Sequence, residues 1–229
     1  MMKPIVFLFL FTSLNLWSQS NFEKGMQFFE QKKYVQAKPF FEEVIRQNPK
    51  NYEAIDKLGE VSVYTKNWDE AVRCGYKLKT VFPNNADYWY KYGGALGLKA
   101  KNSNKFKALG MIDDVKEAFE TSANLDPKHI GVRWAMVMFY IELPGIIGGS
   151  EAKSQKYANE LMRISKVDGF LAKGYIDVYF ERYAAAEMNY KKAHEIGHSK
   201  TTFEKLYDLY LNKIKDEKKA AKLKADFDK

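Results

Sequence analysis

The fold of this 229-residue chain is decided by the stretch YVQAKPFFEEVIRQNPKN (residues 34–51), which is followed by WDEAVRCGYKLKTVFPNN at residues 68–85. A shift of 34 residues aligns an aromatic, a small residue and a proline, at Tyr34 and Trp68, Ala37 and Ala71, and Pro49 and Pro83. The glycines at positions 25, 59 and 93 obey the same shift. A regular period of this length indicates repeated supersecondary units that bury their apolar faces against one another.

Each unit is predicted to consist of two short helices. In the second helix, Tyr34, Ala37 and Phe41 lie at i, i+3 and i+7, on one helical face. Pro49 follows the end of that helix, because proline cannot continue the hydrogen-bond ladder. In the first helix, Gly59 provides a small residue where the neighbouring helix must approach closely. The pattern therefore predicts an all-α fold.

The repeat resembles the tetratricopeptide repeat (TPR), whose period is about 34 residues. The resemblance implies a right-handed superhelical solenoid of about five helix-turn-helix units, over residues 18–51, 52–85, 86–127, 128–166 and 167–201 of a domain at 21–201. The third unit is longer, and its extra residues, Ala100 to Gly110, predict a longer turn or a helix extension. The fourth unit is the least regular. Residues 202–229 are expected to form a capping helix with a lysine-rich tail, which stacked repeats need, and Phe203, Leu206, Tyr210 and Ile214 lie on one side of that helix.

Residues 1–20 have the features of a secretory signal peptide. Lys3 precedes the apolar run Ile5 to Phe11, and small residues follow at Ser18 and Ser20. The run is shorter than the roughly 20 apolar residues that span a bilayer. We therefore expect cleavage after Ser18 or Ser20 and a mature chain in the periplasm or cell envelope, without a transmembrane segment. No cysteine lies near the cut, so no lipid anchor is expected. The leader resembles those of exported proteins from Bacteroidota.

The TPR resemblance implies that the first helix of each unit lines a concave groove for an extended peptide or a partner helix. The register assigns these groove positions: Phe22, Met26, Phe29, Asp56, Glu60, Val63, Tyr64, Tyr90, Gly94, Leu98, Leu171, Tyr175, Val178 and Tyr179. The groove is expected to be mostly aromatic and apolar, with an acidic entry at Asp56 and Glu60. That composition differs from the lysine and asparagine clamp with which some family members hold a terminal carboxylate. Packing between adjacent repeats is the alternative role for each position.

These features predict a non-catalytic interaction scaffold of the cell envelope, with a protein or peptide partner and no cofactor. The enzymatic alternative is a zinc hydrolase at His194-Glu195-Ile196-Gly197-His198, an H-E-x-x-H motif. On a continuous helix the two histidines would share one face. Here the repeat register ends a helix inside the motif, and a catalytic zinc site needs a third protein ligand. We therefore expect a polar helix end.

Two further sequence features have plain structural explanations. Gly148-Gly149-Ser150 precedes a predicted helix, so its backbone N–H groups have the arrangement of an anion site. No lysine follows at phosphate-loop spacing, and we expect a tight turn with Ser150 as N-cap. The single cysteine, Cys74, excludes a disulfide framework and lies in a core-like position, where we expect it to be buried and inert.

The chain is basic, with a formal net charge of +8. Its 37 basic residues are five arginines and 32 lysines, scattered among 29 acids. Proteins that read nucleic acids rely on clustered arginine, so no nucleic-acid partner is expected. Most lysines are expected to form a solvated surface. Attraction to an acidic membrane surface or to a polyanionic envelope polymer is the alternative.

Overall fold

A computed structural model describes residues 21–227, so the predicted signal peptide lies outside the described residues. Within this range the chain forms helices and no strand. None of the helices in residues 21–227 has the length and apolarity needed to cross a membrane. The chain divides into two compact units, one up to Leu125 and the other from Asp126 onward. The all-α prediction is confirmed.

The first unit contains seven helices within its described residues. They are α1 (residues 21–30), α2 (Tyr34–Gln47), α3 (Tyr52–Tyr64), α4 (Trp68–Val81), α5 (Ala86–Lys101), α6 (Lys105–Leu109) and α7 (Ile112–Leu125). Consecutive helices from α2 to α5 pack on one another, and α5 then packs on α7. The predicted insertion, Ala100 to Gly110, covers the end of α5 and the residues after it. It has both expected features, because α5 continues to Lys101 and α6 occupies the turn.

The second unit contains α8 (Ile130–Glu142), a 3-10 turn (Gly145–Ile147), α9 (Glu151–Ile164), α10 (Lys166–Tyr179), α11 (Tyr183–Gly197), α12 (Lys200–Asp208), a π-helical segment (Leu209–Ile214) and α13 (Glu217–Phe227). Helices α8 to α11 pack consecutively. The predicted terminal helix differs in one respect, because it is divided. The backbone of Lys215 is left-handed, with φ of 61°, and α13 begins two residues later.

Asparagine side chains begin three successive helices of the first unit, and two of these asparagines, Asn51 and Asn85, are one repeat apart. The side chains of Asn51, Asn67 and Asn85 accept hydrogen bonds from the backbone N–H groups at the starts of α3, α4 and α5. Such caps satisfy donors that have no partner within the helix. In the second unit Ser150 does the same for α9, accepting from the N–H of Lys153. The Gly148 turn before it is tight, since a Cβ on Gly149 would lie 1.8 Å from the carbonyl oxygen of Leu143.

The core of the first unit follows the repeat. Ala37 and Phe41 on α2 are fully buried, and the repeat glycine of α1, Gly25, lies against the ring of Phe41. A Cβ on Gly59 would lie 3.1 Å from the Cβ of Cys74. The predicted close approach of paired helices is therefore present in this unit. Cys74 is a buried free thiol, and burial raises its pKa to about 12, so it stays protonated and unreactive.

Candidate functional site: an aromatic-rimmed depression in the first unit

Helices α3, α4 and α5 enclose a depression of about 260 Å³. Its floor consists of small and aliphatic side chains, at Gly59, Ala71, Gly75, Leu78, Ala95 and Leu98. Asp56, Glu60, Val63 and Tyr64 contribute from α3, and Tyr90, Lys91 and Gly94 contribute from α5. The depression is therefore lined by the facing sides of two first helices, with the second helix α4 beneath them.

The space exists because a glycine stands where another repeat carries a larger residue. Each repeat glycine in a first helix is followed by a groove-side position, which holds Glu60 in α3, Gly94 in α5 and Tyr175 in α10. A Cβ built on Gly94 meets no atom within 4 Å. The absence of a side chain at Gly94 thus leaves the floor accessible from the groove side.

An aromatic stack forms one rim of the depression. Tyr64, at the end of α3, is 58% exposed. Its ring stacks on that of Tyr34 with centroids 4.0 Å apart and planes 6° from parallel, and Phe29 contacts it edge-on at 6.3 Å. The stack presents a flat aromatic surface at low entropic cost, which suits hot-spot contacts.

Tyr90 forms the opposite side of the depression. Its ring lies 6.4 Å from that of Phe119 on α7, at a tilt of 35°. Burial raises the pKa of the Tyr90 hydroxyl, which therefore stays neutral. The Tyr90 side chain is partly buried and also lines the depression. It therefore contributes both to packing and to the surface that a ligand would contact.

The predicted acidic entry is wrong, because Lys91 and Lys57 together neutralise it. The Nζ of Lys91 lies 2.7 Å from Oδ2 of Asp56 and 2.9 Å from Oε1 of Glu60. Burial acts to lower the pKa of Lys91, but its hydrogen bonds to the two carboxylates outweigh this and raise it. Lys57 reaches Glu60 as well, at 3.4 Å. Two carboxylates and two ammonium groups therefore share this edge, and their formal charges cancel.

The structure brings together the predicted groove residues of α3 and α5: Asp56, Glu60, Val63, Tyr64, Tyr90, Gly94 and Leu98 all line the depression. The residues predicted on α1 do not line it. Phe22, Met26 and Phe29 are partly buried and pack against the core of the first unit, around Phe41 and Leu58. These three residues therefore have the alternative role stated for each groove position, which is packing between repeats.

The positions predicted on α10 belong to the second unit and have mixed environments. Leu171 is buried in the core, and Val178 packs against it. Tyr175 donates a hydrogen bond from its hydroxyl to Oε1 of Glu142, at 3.1 Å. Burial and the neighbouring carboxylate raise the pKa of Tyr175 to about 12. Tyr179 remains about half exposed beside Phe180.

The H-E-x-x-H motif lies at a helix end. Helix α11 stops at Gly197, and His198 has a left-handed backbone with φ of 40°. The two histidine rings are 6.0 Å apart, and Nδ1 of His194 lies 3.1 Å from the Thr202 hydroxyl. Burial and the nearby His198 lower the pKa of His194. Among residues 21–227, no three His, Cys, Asp or Glu side chains form a group able to hold a metal ion.

The sequence does not identify two residues that shape this site: Lys91, which lines the depression, and Tyr34, which stacks on Tyr64. Lys91 lies 35 residues after Asp56, close to one repeat, so opposite charges at that separation were an available signal. The repeat pattern identifies Tyr34 only as the aromatic that begins a second helix. Its stacking on Tyr64 depends on the rotamers of both rings, which the spacing does not reveal.

Solved structures share this architecture. TTC0263, a thermophilic TPR protein in Thermus thermophilus, is similar with a TM-score of 0.69 and 15% identity, over 85% of this chain and 99% of that chain. PilW, described as a widely conserved type IV pilus biogenesis factor, has a TM-score of 0.64 and 15% identity, over 91% of both chains. YrrB, described as a TPR protein with an unusual peptide-binding site, has a TM-score of 0.51 and 15% identity, over 80% of this chain and 87% of that chain. No protein-family model and no curated protein matches the sequence.

The stacked helix pairs and these neighbours define a helical-repeat protein. The particular fold is that of the tetratricopeptide repeat, which confirms the resemblance seen in the sequence.

Proposed function

We propose that this protein is a non-catalytic interaction scaffold that binds a peptide or a partner segment in the depression between α3 and α5. The observation that carries the proposal is the exposed Tyr64 ring beside an apolar floor that Gly94 leaves open. Concave, mostly apolar sites with a few placed polar groups are where proteins hold ligands. The peptide-binding site named for the fold neighbour YrrB supports the same class of ligand.

The lining defines the ligand chemistry. An apolar side chain of the partner occupies the floor near Leu78, Ala95 and Leu98, while its backbone or an adjacent ring lies against Tyr64. Because Lys91 pairs with both Asp56 and Glu60, and Lys57 pairs with Glu60 as well, the edge has no excess charge with which to select a basic or an acidic partner. Recognition then depends on shape and apolar contact, with the ion pairs as hydrogen-bonding groups at the edge.

We place this activity in the cell envelope. Support comes from the leader-like sequence of residues 1–20 and from the fold neighbour PilW, a pilus biogenesis factor. N-terminal sequencing of the protein from its expressing cells is expected to begin at Gln19 or Asn21. Recovery of an intact Met1 on a cytoplasmic protein would contradict the envelope assignment.

Selection of binders from a random peptide library, followed by calorimetric titration, tests the interaction site. Two variants address it. Tyr64→Ala removes the exposed ring, and Gly94→Tyr fills the depression with the residue found at the equivalent position of α10. Each is expected to weaken binding of a selected peptide by about 30-fold, the loss typical of an interface hot spot worth roughly 2 kcal/mol.

The matched control is Met188→Ala, which removes a 63% exposed side chain from the second unit. It is expected to leave peptide affinity unchanged, as is the His194→Ala, His198→Ala double variant. Circular dichroism establishes that each variant is still helical. If the histidine pair abolishes function while Tyr64→Ala and Gly94→Tyr bind normally, the scaffold proposal is wrong.

A further inference from the structure

The insertion between α5 and α7 has no role in the core of the first unit. None of the residues of α6 is buried. Phe106 is 88% exposed, and Leu109, three positions later on the same helical turn, is about half exposed. We call residues 99–110 the α6 lobe. It places an aromatic and an aliphatic side chain together in water.

The α6 lobe is held in one conformation by its own polar side chains. Asn104 caps α6, accepting a hydrogen bond of 2.9 Å from the N–H of Lys107. Asn102 donates a hydrogen bond of 2.8 Å to the carbonyl of Leu98, and Ser103 donates one of 2.7 Å to the carbonyl of Lys99. The exposure of Phe106 is therefore a defined feature of the fold, in a segment whose turns are tied by hydrogen bonds.

The lobe is also strongly basic. It carries Lys99, Lys101, Lys105 and Lys107, and the sequence contains no acid between Asp87 and Asp113. One carboxylate that lies against it is Asp69, whose Oδ1 is 2.7 Å from Nζ of Lys99. That hydrogen bond lowers the pKa of Asp69, so this carboxylate stays ionised beside Lys99.

We infer that the α6 lobe docks on an anionic lipid bilayer. Phe106 and Leu109 enter the boundary between headgroups and acyl chains, and the lysines around them lie at the level of the lipid phosphates. Aromatic and aliphatic residues flanked by lysine are the usual composition of such interfacial elements. The lysine stems extend along the apolar surface while their ammonium groups stay in water.

The composition favours a bilayer over the other candidate partners. The centre of a protein interface is depleted in lysine, whereas here Lys105 and Lys107 stand on either side of Phe106. A soluble polyanion would attract the lysines but would gain nothing from Phe106 and Leu109. A bilayer with acidic lipids uses both. The lobe is continuous with α5, so docking would hold the peptide-binding depression of the same unit near the membrane, independently of whether a peptide is bound.

Vesicle sedimentation tests the inference with the purified processed protein. Wild type is expected to bind vesicles of phosphatidylglycerol and phosphatidylethanolamine and not vesicles of phosphatidylcholine. Phe106→Ser is expected to lower the partition coefficient by about tenfold. The Lys105→Gln, Lys107→Gln double variant is expected to lower it about fivefold per lysine. All variants share one N-terminus, so differences among them report the lobe.

Two matched controls separate the lobe from general effects. Val35→Ser removes a 77% exposed side chain from α2, and Lys222→Gln, Lys224→Gln removes the same charge from α13 as the lobe double variant. Both are expected to bind like wild type. An equal loss in the lysine control would overturn the inference, since net charge alone would then explain binding. An equal loss in Val35→Ser would overturn it as well, since any exposed apolar side chain would then serve in place of Phe106. Equal binding to phosphatidylcholine, or no binding to anionic vesicles, would also overturn it. Peptide affinity of Phe106→Ser is expected to be unchanged, so failure here is distinguishable from failure of the proposed function.

Discussion

The two units join neighbouring first helices by side chains about one repeat apart, but with different chemistry. In the first unit the link is ionic, from Lys91 on α5 to Asp56 and Glu60 on α3. In the second unit the links from α8 to α10 use neutral donors. The indole N–H of Trp134 donates to Asp168 at 2.8 Å, and the hydroxyl of Tyr175 donates to Glu142 at 3.1 Å.

The size of the linking groups accounts for the presence of the depression. Trp134 and Tyr175 are bulky and pack partly buried against the core around Val137 and Ile176. The lysine link of the first unit leaves Gly94 and the floor beneath it open. The comparison teaches that the repeat backbone alone does not make a depression. A depression arises where a groove position holds a small residue and the cross-repeat link lies at the edge.

The largest expected effect comes from comparing two glycines of the first unit. Gly75 lies at a close contact between helices, whereas Gly94 faces the open depression. A Cβ on Gly75 would lie 2.9 Å from the Cα of Tyr92, so Gly75→Ala forces α4 and α5 apart. We expect a loss of about 1–3 kcal/mol, the usual cost of overpacking. Gly94→Ala meets no atom, and we expect a gain of roughly 0.5–1 kcal/mol from the reduced chain entropy of alanine in a helix. Urea unfolding followed by circular dichroism measures both, and shifts of the same sign would show that the helix contacts are misassigned.

A smaller effect separates the ionic link from the neutral one. Trp134→Phe keeps an aromatic ring and removes the hydrogen bond to Asp168, with an expected cost of about 1 kcal/mol. Lys91→Met keeps the aliphatic stem and removes the charge, with an expected cost of about 0.2–1 kcal/mol because the pair is partly exposed. Thermal unfolding at increasing salt distinguishes them.

The cost of Lys91→Met is expected to shrink with salt, since screening weakens the pair it removes. The cost of Trp134→Phe is expected to stay constant. A salt-independent cost for Lys91→Met would mean that packing of its stem, and not its charge, joins α3 to α5.

Periodicity carried most of what the sequence predicted. The alternation of glycine, aromatic, alanine and proline identified helix pairs because each residue type has one steric role at each repeat position. The same register brought Asp56, Tyr64, Tyr90 and Leu98 to one site. It misplaced the charge of that site, because the direction of the Lys91 side chain depends on its rotamer. It also left the insertion undefined, since α6 is held by side-chain caps at Asn102 and Asn104 that belong to no repeat.

The division of the terminal helix was not predictable from the apolar face of Phe203, Leu206 and Tyr210. That face continues through the π-helical segment, and the break follows from the left-handed Lys215. Contacts between α13 and α11 then hold α13 against the rest of the second unit. One of them is made by Glu187 on α11, which accepts hydrogen bonds from the Tyr210 hydroxyl at 3.1 Å and from Nζ of Lys219 at 3.0 Å.

The smallest expected effect is a pH dependence that distinguishes this tertiary contact from a local one in the first unit. Burial acts to raise the pKa of Glu187, but hydrogen bonds from Lys191, Lys219 and Tyr210 outweigh it and lower the pKa to about 2, from an ordinary value of 4.5. The unfolded chain therefore binds the proton first. The stabilisation is complete above pH 4.5 and is lost progressively as the pH falls toward 2.

Glu187→Gln is therefore expected to lower the melting temperature at neutral pH and to flatten its decline between pH 4.5 and 2. The matched control is Glu43→Gln on α2. The pKa of Glu43 is also lowered, first by a hydrogen bond from Arg46 and then by one from Gln47, but both partners lie on its own helix and Arg46 is largely exposed. Such a pair within one helix adds little to tertiary stability. Calorimetry across this pH range is expected to show a changed acid slope for Glu187→Gln and a wild-type slope for Glu43→Gln. Indistinguishable slopes for the two variants would mean that the contact of α13 with α11 does not depend on the charge of Glu187.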